Sequence, residues 1–363
     1  MSAQAKRLSK RLKVGVLFGG RSAEHEVSVV SAQAVMAAMD ADRFQPLAIG
    51  VTRQGTWLTP ADTERALARI RSEELRALEE PLGAALLHRT QALGSLRRVD
   101  VVFPLIHGTN GEDGSLQGLL ELVDVPYVGA GVAASALGMD KALQKDIHRQ
   151  HGFPVPDDIV VLASRWRADP MAVAREAEAA IPYPAFVKPV NSGSSIGTSK
   201  ACSREDLDEA FEEAFQYDRR ALVEVAVEGR QVEVAVLGND EPEASPVGEV
   251  TFVGEFYDYH AKYEDPNTRL HIPADVPTDV AEEARAMAVA AYKAIDCAGL
   301  ARVDFFLTPD GRLVLNEVNT IPGFTPMSMY AKLWEHAGLS YSDLITRLIE
   351  LALERHEEKR RCA

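Results

Sequence analysis

The sequence is poor in cysteine and has no long apolar run. Its three cysteines, Cys202, Cys297 and Cys362, lie far apart and form no CxxC pair. This spacing excludes a disulfide scaffold and a structural zinc site, and it fits a reducing compartment. No stretch reaches the roughly 18 to 20 apolar residues that cross a bilayer, and the basic segment 2–13 lacks the apolar part of a secretory signal. We therefore expect a cytoplasmic protein outside the membrane, with residues 1–12 as a basic tail.

Positive charge is also in short supply. The 363 residues include 39 Lys and Arg against 54 Asp and Glu, which gives a net charge of -15. This balance argues against a nucleic-acid partner, because duplex binding requires a basic surface. Hydrophobic residues at 46% and charged residues at 26% are typical of folded proteins. The length indicates two or three domains.

Two common glycine motifs for nucleotides are absent. The pattern GxxxxGK[ST] does not occur, and Gly19-Gly20-Arg21-Ser22 lacks the GxGxxG spacing, which disfavours a nicotinamide oxidoreductase. A different loop, residues 191–197, is rich in glycine and serine and follows an apolar strand that ends at Lys188. Its backbone N–H groups, its hydroxyls and the lysine suit phosphate oxygens. From the residues alone, a plain connecting loop remains an alternative.

The spacing of apolar residues predicts an α/β fold. Short buried strands alternate with amphipathic helices in the first part of the chain, which indicates an open parallel sheet. We expect three domains, at 13–132, 133–220 and 221–363. Strands are expected at 14–18, 45–51, 99–105, 222–225, 232–237, 301–307 and 313–318, helices at 26–40, 133–150, 169–180, 203–215, 278–295 and from 335 onward, and a surface excursion at 61–87.

The segment 301–319 predicts a β-hairpin, since a Pro-Asp-Gly turn joins two apolar runs. Side chains alternate along a strand, so Arg302 shares a face with Asp304, and Glu317 shares a face with Asn319. A turn centred between residues 309 and 310 places Arg302 opposite Glu317, with Asp304 as a diagonal neighbour roughly 7 to 8 Å away. Carboxylate and amide oxygens suit Mg²⁺. An ordinary hairpin with a surface ion pair is the alternative.

Taken together, these motifs resemble the ATP-grasp superfamily, and specifically the D-alanine–D-alanine ligase family. The resemblance runs from Gly19 to Ser328 and covers nearly the whole chain. Each segment is weak alone, but seven in the same order are specific. The segments are 19–28, 107–114, 139–141, 188–197, 257–263, 302–304 and 316–323.

The resemblance implies an ATP-grasp architecture, with an N-terminal Rossmann-like parallel sheet and two α+β lobes that enclose ATP. It implies that ATP phosphorylates the carboxylate of one D-alanine and that the amine of a second D-alanine then displaces phosphate. It assigns Asp304, Glu317 and Asn319 to two Mg²⁺ ions, with Mn²⁺ as a substitute. It assigns Lys141, Lys188, Ser195, Glu224, Val225, Val227, Gln231, Lys262 and Asn316 to the nucleotide.

The same resemblance implies roles around the reacting carbonyl. Glu24 binds the ammonium of the first D-alanine and is linked through Ser194 to Tyr263 on a lid, with His107 nearby; Arg302 and the N–H of Gly323 stabilise the oxyanion, and Ser328 binds the second carboxylate. Two simpler alternatives stay open. His107 before a glycine-rich turn could be a capping residue, and Ser328 could be a helix N-cap.

The sequence departs from the family at the nucleotide. Gln231 stands where the family usually carries a glutamate, and Val225 stands where some relatives have a lysine. An amide still accepts from a ribose hydroxyl, so ATP binding is expected to survive.

Tyr263 preceded by Lys262 favours an amine as nucleophile, with D-lactate or D-serine as the alternative second substrate. A non-catalytic nucleotide-binding module is the alternative from another class, and a homodimer is expected because relatives are commonly dimers.

Overall fold

The protein is described here from a computed structural model, which covers residues 11–71, 77–78, 94–252 and 267–362. The predicted lid with Lys262 and Tyr263, nearly all of the basic tail and most of the excursion after residue 71 lie outside the described residues. The described part of the excursion is helical, as predicted, and forms most of helix α2 (Pro60–Arg71).

The first domain contains a three-stranded parallel sheet in the order β2-β1-β3, which confirms the predicted parallel sheet. Its strand β1 is almost entirely buried, as expected for a parallel strand covered on both faces. The elements are β1 (Leu12–Gly19), α1 (His25–Ala38), β2 (Phe44–Val51), α2 (Pro60–Arg71), a 3-10 turn (Leu96–Arg98), β3 (Val101–Pro104) and α3 (Ser115–Leu122).

Two helices, α4 (Val132–Met139) and α5 (Lys141–Gln150), lead into the next domain. The sequence predicted a single helix over 133–150, and Asp140 is the reason for the difference. It has an extended backbone, and its side chain accepts a hydrogen bond of 3.0 Å from the N–H of Leu143. Asp140 therefore ends one helix and caps the next, which makes Lys141 the first residue of α5.

The central domain contains a four-stranded antiparallel sheet in the order β4-β7-β5-β6. The predicted third domain, 221–363, includes strand 222–225, and this assignment is wrong. The strand pairs with β5 from Ala185–Val225 to Pro189–Ala221 and so completes the central sheet. The elements are β4 (Asp158–Leu162), α6 (Ala163–Ala168), α7 (Pro170–Ala180), β5 (Ala185–Pro189), β6 (Ser199–Ala201), α8 (Arg204–Ala214) and β7 (Arg220–Val225).

The last domain is built on an antiparallel sheet in the order β11-β10-β8-β12-β13, with β9 paired to β8. The predicted terminal helix is two helices, which are separated at Gly338, where φ is +93°. The elements are β8 (Arg230–Gly238), β9 (Glu243–Ala244), β10 (Gly248–Thr251), β11 (Arg269–His271), α9 (Thr278–Ala294), β12 (Gly299–Leu307), β13 (Leu313–Asn319), α10 (Met329–His336) and α11 (Tyr341–Arg361).

The largest apolar core joins the first and last domains. Phe18 and Phe103 of the first sheet belong to the same buried cluster as Tyr330 of α10 and Leu348 of α11. The rings of Phe103 and Phe324 are 5.6 Å apart. The carboxyl ends of the first sheet are thereby held against the last domain, which is called the hairpin domain because it contains the β12–β13 hairpin. In the part of the chain that the structure describes, no helix is both long and apolar enough to span a membrane.

Candidate active site

The β12–β13 hairpin pairs in a register that differs from the predicted one. Arg302 lies opposite Asn319, and Asp304 lies opposite Glu317, so the predicted Arg302–Glu317 pair is wrong. The loop is centred one half-residue later than expected, and a β-bulge after Asp304 leaves Asn316 as an extra residue. The two offsets together move the pairing by two residues, which preserves the face on which each side chain lies.

Three carboxylates lie in register across neighbouring strands, Glu233 on β8, Asp304 on β12 and Glu317 on β13. The guanidinium of Arg302 contacts the first two and balances one of their two negative charges. Its Nε and Nη2 atoms donate to Asp304 at 2.7 and 2.6 Å, and Nε lies 3.0 Å from Glu233 Oε2. The predicted arginine–carboxylate cluster is therefore present and mostly buried, where unpaired charges would be costly.

The residues predicted to bind metal lie side by side. Asn319 Nδ2 donates to Asp304 Oδ2 at 3.0 Å and to Glu317 Oε1 at 3.4 Å. A rotated amide would turn its oxygen to the same point, and two carboxylates with one amide oxygen fit a hard cation. Among the described residues no group of three or more His, Cys, Asp and Glu side chains is arranged for a metal ion. The donor set fits Mg²⁺ only if phosphate oxygens complete the coordination.

A buried carboxylate lies between two lysines on the opposite wall. Glu224 on β7 binds Lys188 of β5 through Oε1 and Lys145 of α5 through Oε2, the latter at 2.9 Å. Burial raises the pKa of Glu224, but the two ammonium groups outweigh this effect and lower it to about 2. Glu224 is therefore ionised at neutral pH. Burial lowers the pKa of Lys145 and the charge of Glu224 opposes this shift; with both ammonium groups protonated, the three groups carry one net positive charge.

The glycine-serine loop has an unusual backbone. Ser194 and Ser195 both have positive φ, +48° and +58°, and Gly197 follows at +71°. Turn conformations of this kind can expose backbone N–H groups to an anion, although the N–H groups of Ile196 and Thr198 already donate to Gly193 O and Ser195 O. The loop also receives Lys141, whose Nζ donates to Ser192 O at 2.5 Å. A phosphate-binding loop is therefore supported over a plain connection.

Glu24 at the start of α1 is buried and contacts this loop. Ser194 Oγ donates to Glu24 Oε1 at 2.5 Å, which joins the first domain to the central domain. The link was predicted from the resemblance, and its first half is present. The second half, from Ser194 to Tyr263, lies outside the described residues.

His107 and Ser328 lie near the end of the hairpin. His107 Nδ1 is 3.1 Å from Ile321 O, while its buried Nε2 has no hydrogen-bond partner among the described residues. Ser328 precedes α10, but its side chain makes no cap to that helix; it accepts a bond of 3.0 Å from Thr325 N. The contact of His107 is not that of a capping residue, whereas Ser328 occupies the N-cap position of α10, where its backbone oxygen accepts from the N–H of Lys332 at 3.0 Å. Gly323 lies in the segment between β13 and α10.

These elements enclose a cavity of about 390 Å³, a size typical of small-molecule sites. Its wall includes residues from the central sheet, the hairpin domain and, through Glu112, the first domain. Of the predicted residues, Lys141, Lys188, Ser194, Ser195, Glu224, Val225, Val227, Gln231, Asp304, Asn316, Glu317 and Asn319 line it. Glu24, His107, Arg302, Gly323 and Ser328 do not line it, although Glu24 and Arg302 contact residues that do.

Sequence reasoning missed three charged residues of the site. Lys145 follows Lys141 by one helical turn, and Glu233 follows Gln231 by two positions along a strand, so both spacings carried a signal. Glu112 was part of a quoted motif but received no role. Burial and the charge of Glu24 raise the pKa of Glu112 to about 8, although the N–H of Gly108 binds it at 3.0 Å.

A parallel sheet, followed by two antiparallel sheets that enclose a cavity with lysines on one wall and carboxylates on the other, defines an ATP-grasp enzyme. The sequence comparisons narrow this class. The family model described as D-ala D-ala ligase N-terminus matches residues 13–130, and the one described as D-ala D-ala ligase C-terminus matches residues 147–350. The chain belongs to the D-alanine–D-alanine ligase family.

Individual relatives agree over nearly the full length. The chain is 47% identical to a D-alanine–D-alanine ligase of Geobacillus thermodenitrificans over 96% of this chain and 97% of that protein. It is 48% identical to one of Deinococcus radiodurans over 94% and 98%. Among solved structures, the D-alanine–D-alanine ligase from Coxiella burnetii superposes with a TM-score of 0.80 at 35% identity, over 97% of each chain. The VanG D-Ala:D-Ser ligase from Enterococcus faecalis gives 0.79 at 37% identity, over 94% and 100%.

Proposed function

We propose that this protein joins two D-alanine molecules at the expense of ATP, and that the cavity between the central sheet and the hairpin domain is where ATP binds. The observation that carries the proposal is the opposition of two walls. Lys188 and the loop 191–197 lie on one side, and Asp304, Glu317 and Asn319 lie on the other. A triphosphate between them would meet positive charge on the first wall and metal ligands on the second.

The proposed reaction has two steps. The carboxylate of the first D-alanine attacks the terminal phosphorus of ATP, which gives an acyl phosphate and ADP. The amine of the second D-alanine then attacks the acyl carbon, loses a proton and expels phosphate. Mg²⁺, which Mn²⁺ can replace, would neutralise charge on the transferred phosphoryl group when bound by the three hairpin ligands. Arg302 and the N–H of Gly323 would stabilise the oxyanion of the second step.

The remaining residues would position the substrates. Glu24, held by Ser194, offers a buried carboxylate to the ammonium of the first D-alanine, and Ser328 would bind the carboxylate of the second. The Nε2 atom of His107 has no hydrogen-bond partner among the described residues, so it could bind the first substrate. Lys262 and Tyr263 would contact the phosphoryl group and Ser194 from the lid. Ser195, Val225, Val227, Gln231 and Asn316 would line the nucleotide, with Glu224 at the adenine edge.

The second substrate has a real competitor. A solved D-Ala:D-Ser ligase resembles this chain as closely in structure as a D-alanine–D-alanine ligase does, with TM-scores of 0.79 and 0.80. The sequence relatives named D-alanine–D-alanine ligase, at 45 to 48% identity over nearly the full length, favour D-alanine. We further propose a cytoplasmic protein that binds neither nucleic acid nor membranes, because its charge is acidic, its cysteines are scattered and it has no long apolar run. The resemblance to the family further implies a homodimer.

The test is phosphate release from ATP with single candidate substrates. We expect release with D-alanine alone and with Mg²⁺ or Mn²⁺, and none with L-alanine. Release that requires D-serine or D-lactate beside D-alanine would favour the other second substrate. ATP hydrolysis that is indifferent to amino acids, or no hydrolysis at all, would overturn the proposed function and favour a nucleotide-binding module.

A further inference from the structure

The lysine–glutamate–lysine group contains one residue that no role yet explains. Lys145 lies on α5, one turn after Lys141, and its side chain is almost completely buried. It does not line the cavity, whereas both Lys188 and Glu224 do. Burying an ammonium group is expensive unless a counter-charge is present. Lys145 must therefore be considered together with the carboxylate beside it.

The contacts divide Glu224 between its two neighbours. Lys145 binds Oε2 at 2.9 Å, and Lys188 binds Oε1. Asp158 also raises the pKa of Lys145, but it is already paired with Arg149. Glu224 is therefore the counter-charge of Lys145 as well as a neighbour of Lys188.

The net charge of Lys145, Glu224 and Lys188 depends on whether Lys145 is present. With both lysines present, one positive charge remains after Glu224 is neutralised. Without Lys145, Glu224 and Lys188 would form a neutral pair, and Lys188 would have to leave its carboxylate in order to bind phosphate. A buried carboxylate that loses one of two partners holds the other more tightly, since little solvent screens it.

We propose that Lys145 is a positioning residue of the nucleotide site, whose buried ammonium neutralises Glu224 and thereby leaves the charge of Lys188 available to the phosphates of ATP. The inference rests on the proposed function, because it assumes that the cavity binds ATP. In this role Lys145 affects the binding of the phosphates rather than of the base, although its side chain does not line the cavity.

The test compares the affinities for ATP and for adenosine, measured by titration calorimetry on the full chain with Mg²⁺. The ratio of the two affinities isolates the contribution of the phosphates. We expect Lys145→Met to lower this ratio about tenfold, which corresponds to about 1.4 kcal/mol. We expect Lys145→Arg to keep the ratio within about threefold of wild type, because it keeps the charge.

The double variant Lys145→Met with Glu224→Gln supplies the rescue. It removes one charge of each sign, so one net positive charge remains and the ratio should return to near the wild-type value. A merely structural role for Lys145 predicts no such recovery. An unchanged ratio in folded Lys145→Met, or a double variant as poor as the single one, would overturn the inference.

Misfolding of Lys145→Met and loss of binding by the wild type would also be informative. If Lys145→Met does not fold, the double variant is compared with wild type and with Lys145→Arg. A ratio near the wild-type value would support the inference, because one net positive charge remains, and a tenfold lower ratio would overturn it. Wild-type protein that binds neither ATP nor adenosine would overturn the proposed function itself, whereas normal wild-type binding with an unaffected Lys145→Met overturns only the role of Lys145.

Discussion

At the scale of single residues, Arg302 is a mostly buried arginine that lies between two carboxylates. It binds Asp304 through two nitrogens and approaches Glu233 at 3.0 Å. If it also stabilises the oxyanion, Arg302→Ala should lower kcat by roughly 100- to 1,000-fold, while the Kd for ATP changes by less than about threefold. Steady-state kinetics and nucleotide titration would separate the two effects. Arg312→Ala, an exposed arginine of the same hairpin, is the matched control; equal losses in kcat and ATP affinity would contradict the oxyanion role.

His148 makes stability depend on pH. Burial lowers its pKa to about 4, and a hydrogen bond that the imidazole donates to the backbone of Ala291 opposes this shift only in part. Between pH 6.5 and 4 the unfolded chain therefore binds more protons at this position than the folded one, and acidification destabilises the fold. From pH 7.5 to 5, His148 should account for about 2 kcal/mol of lost unfolding free energy.

Urea unfolding at the two pH values checks this expectation. His148→Asn should lose about 2 kcal/mol less than wild type over that interval, whatever its absolute stability. Gln150→Asn, at an exposed position of the same helix, removes no titratable group and should lose as much as wild type. A loss in His148→Asn that equals the wild-type loss would show that another group is responsible.

The residue scale also shows where sequence reasoning ends. Arg302, Asp304, Glu317 and Asn319 could be predicted to share a face, because alternation along a strand is a local property. The spacing places Lys145 one helical turn after Lys141, but its role could not be predicted, because that role depends on Glu224, which lies far away in the sequence. A lone lysine usually lies in solvent, and only packing shows that this one does not.

At the scale of elements, the break between α4 and α5 is fixed by the side chain of Asp140. Asp140 caps α5 through Oδ1 and forms an ion pair with Arg220 through Oδ2. Asp140→Ala should lower the unfolding free energy by about 1 kcal/mol for the cap and further for the unpaired Arg220. Asp140→Asn should retain most of the cap.

Equilibrium unfolding measures these differences. Asp146→Ala, on the exposed side of the same helix, is the control and should change stability by less than about 0.5 kcal/mol. If Asp140→Ala were as mild as the control, the cap would not be what separates the two helices.

Strands and helices were largely predictable from the sequence, whereas their partners were less so. The helices 169–180, 203–215 and 278–295 agree with the structure to within a residue or two. The hairpin register missed by two positions because a β-bulge and a longer loop leave no clear periodic signal. Strand 222–225 was found but assigned to the wrong sheet, since sheet membership depends on contacts between distant segments.

At the scale of the whole molecule, helix α11 fixes the last domain to the first. Arg355 on α11 donates to the carbonyl oxygens of Gly129 and Tyr127, and its guanidinium lies 4.6 Å from the Tyr127 ring centroid. Loss of two charged hydrogen bonds and a cation–π contact predicts that Arg355→Ala lowers the unfolding free energy by about 2 kcal/mol.

Differential scanning calorimetry should also show one shared transition for these two domains in the wild type, because their cores are continuous. Arg360→Ala, an exposed arginine on the same helix, should leave the transition in place. A variant of Arg355 with wild-type stability would mean that the apolar core alone joins the domains.

The shared core has a consequence for synthesis. The first sheet ends at Pro104, but α11, which covers part of it, begins only at Tyr341, more than two hundred residues later. At translation rates of about 5 to 20 residues per second, that apolar surface waits roughly 10 to 50 seconds for its cover. A nascent chain of this protein should therefore depend on ribosome-associated chaperones during that interval.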